Sequence, residues 1–222
     1  MYLSMNLYHL NNLLRTLPEF TRLLAVLKEK HGSRAVAHLP EQAYGSLTAS
    51  ISEALNSPVL FLSAHAETAR WRYEQIKLWL PDEQSISYFP EVDLLATSNA
   101  GDPLVISERL KILSQLSDCN MDQGGSLQSP VIVASSLSLI SKSVSKKDFS
   151  SICFKMKRSD LIKPSELLEK LQSMGYEHDE IVEIPGTFSK RGGIVDIFPS
   201  GRDVPVRIEV FVCRACGVEF KG

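Results

Sequence analysis

Few side chains in this 222-residue chain have the type and spacing that chemistry requires. The segment Leu39-Pro40-Glu41-Gln42-Ala43-Tyr44-Gly45-Ser46 stands where a strand-to-helix turn could offer backbone amides and a helix dipole to a phosphate. A working phosphate loop there needs several glycines for converging amides, a lysine for the β and γ phosphates and a hydroxyl for magnesium. Only Gly45 and Ser46 remain, Pro40 removes an amide, no lysine is present and Glu41 repels an anion. Triphosphate binding is therefore not expected, and Ser46 reads as a helix cap. His9, His31, His38, His65 and His178 stand singly, without ligand spacing. Asp179-Glu180 reads as a solvated turn, since nothing beside it predicts desolvation. Cys213 and Cys216 form a C-x-x-C pair, but tetrahedral zinc wants four ligands and Cys119 and Cys153 lie in distant contexts. No metal, no cofactor and no catalytic group is expected.

The most specific stretch runs from Ile184 to Pro199: Ile-Pro-Gly-Thr-Phe-Ser-Lys-Arg-Gly-Gly-Ile-Val-Asp-Ile-Phe-Pro. Pro185-Gly186 turns the chain, a short strand follows, Gly192-Gly193 supplies a tip that tolerates positive φ, and Ile194 to Phe198 forms the returning strand. Lys190 and Arg191 then stand on a rigid, exposed support, the usual position of binding residues on a scaffold.

The elements that must hold these residues read as α/β. Thr16-Leu-Pro-Glu opens a helix carrying Phe20, Leu23, Leu24 and Leu27 at helical spacing, with Gly32 as its stop. A short strand at Ala35–Leu39, a helix to about Asn56 and a buried strand at Pro58–Ser63 come next. Then follow a helix at Ala66–Leu80, an extended Ser85–Phe89, a helix at Pro103–Leu116 with Ile106, Leu110 and Leu113 on one face, and an extended Pro130–Ser135. Apolar strands alternating with amphipathic helices imply a parallel sheet covered by helices. The serine-rich stretch Ser135–Ser151 reads as a linker, so the boundary is set near residue 150. Beyond it, Pro164 opens a helix carrying Leu167, Leu168, Leu171 and Met174, with Gly175 as its stop. Short strands follow, the last alternating Val204, Val206, Ile208 and Val210 with polar residues: a small α+β unit.

With 24 Lys and Arg against 26 Asp and Glu, the chain has no global attraction for DNA or acidic lipid. Residues 151–222 balance as well, which argues against a stand-alone DNA-binding domain unless Lys155, Lys157, Arg158, Lys190 and Arg191 converge. The longest apolar runs fall far short of the ~20 residues of a membrane helix, and the first fifteen residues lack a basic segment before an apolar stretch. A cytoplasmic protein without membrane contact is expected.

The Gly-Thr-Phe-x-x-Arg-Gly-Gly-Ile-Val-Asp-Ile-Phe-Pro string, with Gly175-Tyr176 and Pro205-Val206-Arg207-Ile208-Glu209, resembles the second domain of the excinuclease subunit UvrB. It is more similar still to the matching module of the bacterial transcription-repair coupling factors. The similarity reaches back more weakly through Tyr88-Phe89-Pro90, Ser107-Glu108-Arg109-Leu110 and Val131-Ile132-Val133-Ala134. It implies residues 1–150 as a degenerate RecA-like, P-loop-like domain without a working phosphate loop, 151–211 as a domain resembling UvrB domain 2, and 212–222 as a divergent tail. The degenerate turn favours the coupling factors over UvrB. The resemblance also implies docking onto UvrA to recruit nucleotide excision repair to stalled RNA polymerase. RNA polymerase and DNA would be engaged only by modules outside this chain. Carried over by position, Arg191 matches a UvrA-contacting arginine, Ser189 replaces a second and His178 stands at a third. Lys190 lies beside the lost position but points to the other face, and Phe188 precedes it.

After Glu209 the chain departs from the family pattern at Val210-Phe211-Val212-Cys213-Arg214-Ala215-Cys216-Gly217. A truncated or frame-shifted coding sequence, or a fragment with a non-homologous tail, is the expected cause, leaving a sheet edge of the first domain unpaired. Two further readings stay open at this level: a UvrB-type ATPase or helicase fragment, which magnesium-dependent ATP binding would favour, and a DNA-binding domain, which a salt-dependent titration would reveal.

Overall fold

The computed structural model describes residues 6–29, 32–81, 86–92, 102–116, 130–154, 156, 163–213 and 217–221. In chain order the helices are α1 (Asn11–Arg15), α2 (Pro18–Lys28), α3 (Tyr44–Leu55), α4 (Ala66–Lys77), α5 (Pro103–Leu116), α6 (Ser136–Ile140), α7 (Lys146–Ile152) and α8 (Pro164–Ser173). The strands are β1 (Val59–Ser63), β2 (Ile86–Phe89), β3 (Val131–Ser135), β4 (Glu177–His178), β5 (Thr187–Arg191), β6 (Ile194–Ile197), β7 (Val206–Cys213) and β8 (Gly217–Lys221). They fall into two compact units, residues 1–91 with 124–142 and residues 92–123 with 143–222. The sequence-based boundary at 150 would put α5 in the first domain, whereas its contacts group it with the second unit.

In the first unit β3 lies between β1 and β2, all parallel, with Phe61 and Tyr88 both opposite Val133. The alternation of a strand sends Val59, Phe61, Ile86, Tyr88, Val131 and Val133 to one face. There they meet Ala49 of α3, Ala69 and Ile76 of α4, and Leu80. A parallel sheet covered by helices is therefore present, while Leu60 and Leu62 of the edge strand β1 remain half-exposed on the other side. The strand expected at Ala35–Leu39 does not form. That segment is unpaired, Val36 is 88% exposed, and the chain enters α3 through a 3₁₀ turn at Glu41–Ala43. An apolar run becomes a strand only where a neighbour completes its hydrogen bonds, and none does so among the described residues.

Thr16 is not the cap of α2: its Oγ1 donates to Leu13 O at 2.8 Å, and Leu17 holds the extended cap position before Pro18. The serine-rich stretch is likewise not a loose linker. Ser135 and Ser138 form a reciprocal capping box at the start of α6, and the Ser145 hydroxyl accepts the Asp148 amide at the start of α7. These serines satisfy the amides that a helix start leaves unpaired.

In the second unit the strand order is β4-β5-β6-β7-β8, with β4 parallel to β5 and every other pair antiparallel. Leu167 and Leu171 of α8 pack on Phe188, Val195 and Ile197, and Gly175, at φ +86°, ends α8 as expected. Met174, expected to face inward, is partly exposed. The buried residues of α5 are Ser107, Arg109 and Ile112 rather than Ile106, Leu110 and Leu113 as a face, because α5 meets a polar turn. Gly201 N donates to Ser107 Oγ at 3.2 Å, and Lys111 Nζ reaches both carboxylate oxygens of Asp203 at 2.7 Å. Among the described residues, no helix is long and apolar enough to cross a membrane.

Candidate docking interface

The hairpin read from the sequence is present, with Lys190 opposite Val195, Arg191 opposite Ile194 and Gly192 at φ +63° in the tip. Because paired residues share a face, Phe188, Lys190, Val195, Ile197, Val206 and Ile208 lie on the side packed against α8. Ser189, Arg191, Asp196, Arg207 and Glu209 lie on the other. On that second face Arg207 donates from Nε and Nη2 to the two Asp196 oxygens at 2.7 and 2.9 Å, a bidentate pair. The Arg207 hydrogen bonds hold the Asp196 carboxyl below its ordinary range against partial burial, and the charges of Arg207 and Arg191 act in the same sense.

Arg191 is exposed and has a structural partner. The last ladder bond between β4 and β5 is Asp179 N to Phe188 O at 2.9 Å, after which the chain turns away. Arg191 Nη2 then donates to Glu180 O at 2.7 Å, so the side chain satisfies the carbonyl that the ladder abandons.

The five expected docking residues are not brought to one surface. Arg191 presents its guanidinium on the polar face, and Lys190 is exposed but belongs to the opposite face, as strand alternation implies. Phe188, 1% exposed, is a core residue, and Ser189 is 4% exposed. Neither offers a side chain to a partner, because the strand pairing that builds the hairpin buries both. His178 is exposed on β4 on the face shared with Phe188, and its ring meets the Phe188 ring edge-on at 5.5 Å. The Arg207–Asp196 pair on the polar face is not visible in the sequence: the alternation around Val206 and Ile208 is, but the cross-strand register that joins the two side chains is not. Cys213 ends β7, Cys216 lies outside the described residues, and no cluster of three or more potential metal ligands occurs among the described residues.

The second candidate position, at Pro40, Gly45 and Ser46, is filled by the chain itself. A Cβ on Gly45 would stand 2.6 Å from Trp79 Cδ1. Ser46 is not the helix cap expected, since it lies inside α3, whose cap position is Ala43; its Oγ instead donates to Asn11 Oδ1 at 2.9 Å, and Asn11 Nδ2 donates to Trp79 O at 2.9 Å. Buried Arg72 donates to Glu41 O at 2.9 Å and Gln75 Oε1 at 2.8 Å, and stacks 4.7 Å above the Tyr44 ring. The glycine makes room for an indole, and the hydroxyl and the nearest cation are spent on internal contacts. These residues do not fit a triphosphate.

Residues 154–214 match the family model described as the UvrB interaction domain, as the hairpin string implies. The chain is 25% identical over 194 residues to the transcription-repair-coupling factor of Bacillus subtilis, covering 87% of this chain and 16% of that protein. It is 31% identical over 168 residues to UvrABC system protein B of Fervidobacterium nodosum, and 26% identical over 176 residues to that of Thermotoga maritima, each covering 73% of this chain and 25% of the relative. The chain thus spans a quarter or less of the length of these relatives.

Proposed function

We propose that this chain is a docking module of transcription-coupled nucleotide excision repair that binds UvrA in the cytoplasm and carries no catalytic site of its own. The observation that carries the reading is Arg191. Within the segment matching the UvrB interaction domain, its guanidinium stands exposed at a glycine tip, one strand pairing away from the Arg207–Asp196 fork. One donor of Arg191 is used on Glu180 O, and the rest of its fork offers a carboxylate planar, permanently charged recognition that lysine cannot copy. The first unit serves this reading as a degenerate P-loop-like scaffold.

The test is a titration of UvrA with the full chain and with Arg191→Ala and Arg191→Lys. The alanine variant is expected to lose about 2 kcal/mol, roughly thirtyfold in Kd, and the lysine variant a large part of that. Equal affinity for all three removes Arg191 from the interface. The similarity to UvrB system proteins supports one competing reading, an ATP-binding fragment. Magnesium-dependent ATP binding by the full chain would favour it over the docking module.

A further inference from the structure

We infer that the loop following β4 adds an apolar anchor to the docking face: Ile181, held out by the contact between Arg191 and Glu180, enters an apolar hollow on the partner bordered by lysine or arginine side chains. The inference rests on the docking reading and goes beyond it to an anchor outside the hairpin strands. Three consecutive residues fix the loop. Asp179 N bonds to Phe188 O, Glu180 O accepts from Arg191, and Ile181 N donates to Asp179 Oδ1 at 3.4 Å. On this tethered backbone Ile181 is 63% and Ile184 48% exposed, two large apolar side chains within four residues. A tethered loop loses little freedom on binding, so burial of its isoleucine turns into affinity with little ordering cost. Its surroundings select the partner. Glu177, Asp179, Glu180 and Glu183 crowd the same seven residues, and Glu177, Glu180 and Glu183 make no ion pair among the described residues. An apolar centre with an acidic rim is complementary to an apolar hollow with a basic rim.

Arg191 is accordingly a positioning residue for the loop as well as a direct contact. The test uses UvrA as the probe and the full chain carrying Ile181→Ser, Ile181→Leu, Glu180→Lys with Glu183→Lys, or Val204→Ser, the last altering a valine as exposed as Ile181 on another turn. Ile181→Ser is expected to weaken binding about tenfold or more. Ile181→Leu and Val204→Ser should match wild type, and the charge reversal should weaken binding most at low salt. Wild-type affinity for Ile181→Ser, or an equal loss for Ile181→Leu, overturns the anchor and leaves the docking reading intact. Unchanged or tighter binding by the charge-reversed chain overturns the basic rim. No binding of UvrA by the wild-type chain overturns the docking reading and this inference together.

Discussion

Replacing Gly45 with alanine tests whether the phosphate turn is closed by packing. The added Cβ would sit 2.6 Å from Trp79 Cδ1, 2.9 Å from Trp79 Nε1 and 3.4 Å from Gln75 O. Comfortable carbon contacts begin near ~3.5 Å, so the indole must move by about 1 Å. It is poorly placed to do so, because Trp79 N bonds to Ile76 O and Trp79 O accepts from Asn11, while its side chain packs against the buried core cluster of the first unit. Overpacking of this kind costs about 1–3 kcal/mol, and alanine's better helix propensity returns up to ~1 kcal/mol. A net loss of about 1–2 kcal/mol is expected. Both tryptophans, Trp71 and Trp79, lie in the first unit, so urea unfolding followed by their fluorescence reports that unit. With a slope of ~2 kcal/mol per molar urea, the midpoint should fall by about 0.5–1 M. A variant as stable as wild type, or more stable, would show that helix propensity alone decides and that the turn has open space beside Gly45. The packing argument against nucleotide would then fail.

Asn11→Ala should cost about 1–3 kcal/mol in the same unfolding assay, because it leaves the Ser46 hydroxyl and the Trp79 carbonyl without their partner. A change within a few tenths of a kcal/mol would place that bond among the negligible ones. For the second unit, Asp196 is held below its ordinary value, so its pairing with Arg207 stabilises the fold above the unfolded pKa of ~3.9, and that contribution disappears as pH falls through the lowered native value. The stability gap between wild type and Asp196→Asn is therefore expected to be constant from about pH 5 to 8 and to close below about pH 4; a gap that widens on acidification reverses the sign and refutes the linkage.

Several elements are legible in the residues because their signals are local. Val59–Ser63 and Val131–Ser135 of the first unit are apolar runs bounded by breakers, and α5 of the second begins at its proline, so element type follows from spacing alone. The misreadings all concern what an element meets. Ala35–Leu39 has a strand's composition and no neighbouring strand among the described residues. Ser135–Ser151 has a linker's composition, yet two of its serines stand at helix starts, where composition becomes capping. The face of α5 follows from a hydrogen bond and an ion pair to residues nearly a hundred positions away, which no periodicity encodes. Ser189 is named for its position in the resemblance and Phe188 for preceding it, but position carries no burial: Phe188 faces the core, and Ser189, though on the face of Arg191, is covered in the middle of a paired sheet.

The same alternation explains how one small sheet can fold and still keep a face for the proposed docking. Along β5 and β6, Phe188, Val195 and Ile197 build the core with α8, so the intervening positions are committed to the other face without cost to packing. That face holds a self-satisfied pair, Arg207 with Asp196, and Arg191, whose contact with Glu180 O stiffens the neighbouring loop and leaves donors unspent. A partner that supplies a carboxylate to Arg191 need not break an existing ion pair to do so. Its affinity then depends on preorganisation rather than on area. Loosening the Glu180 loop should therefore weaken docking even where the charge of Arg191 is kept, which is why the lysine substitution at this position is more informative than removal of the side chain.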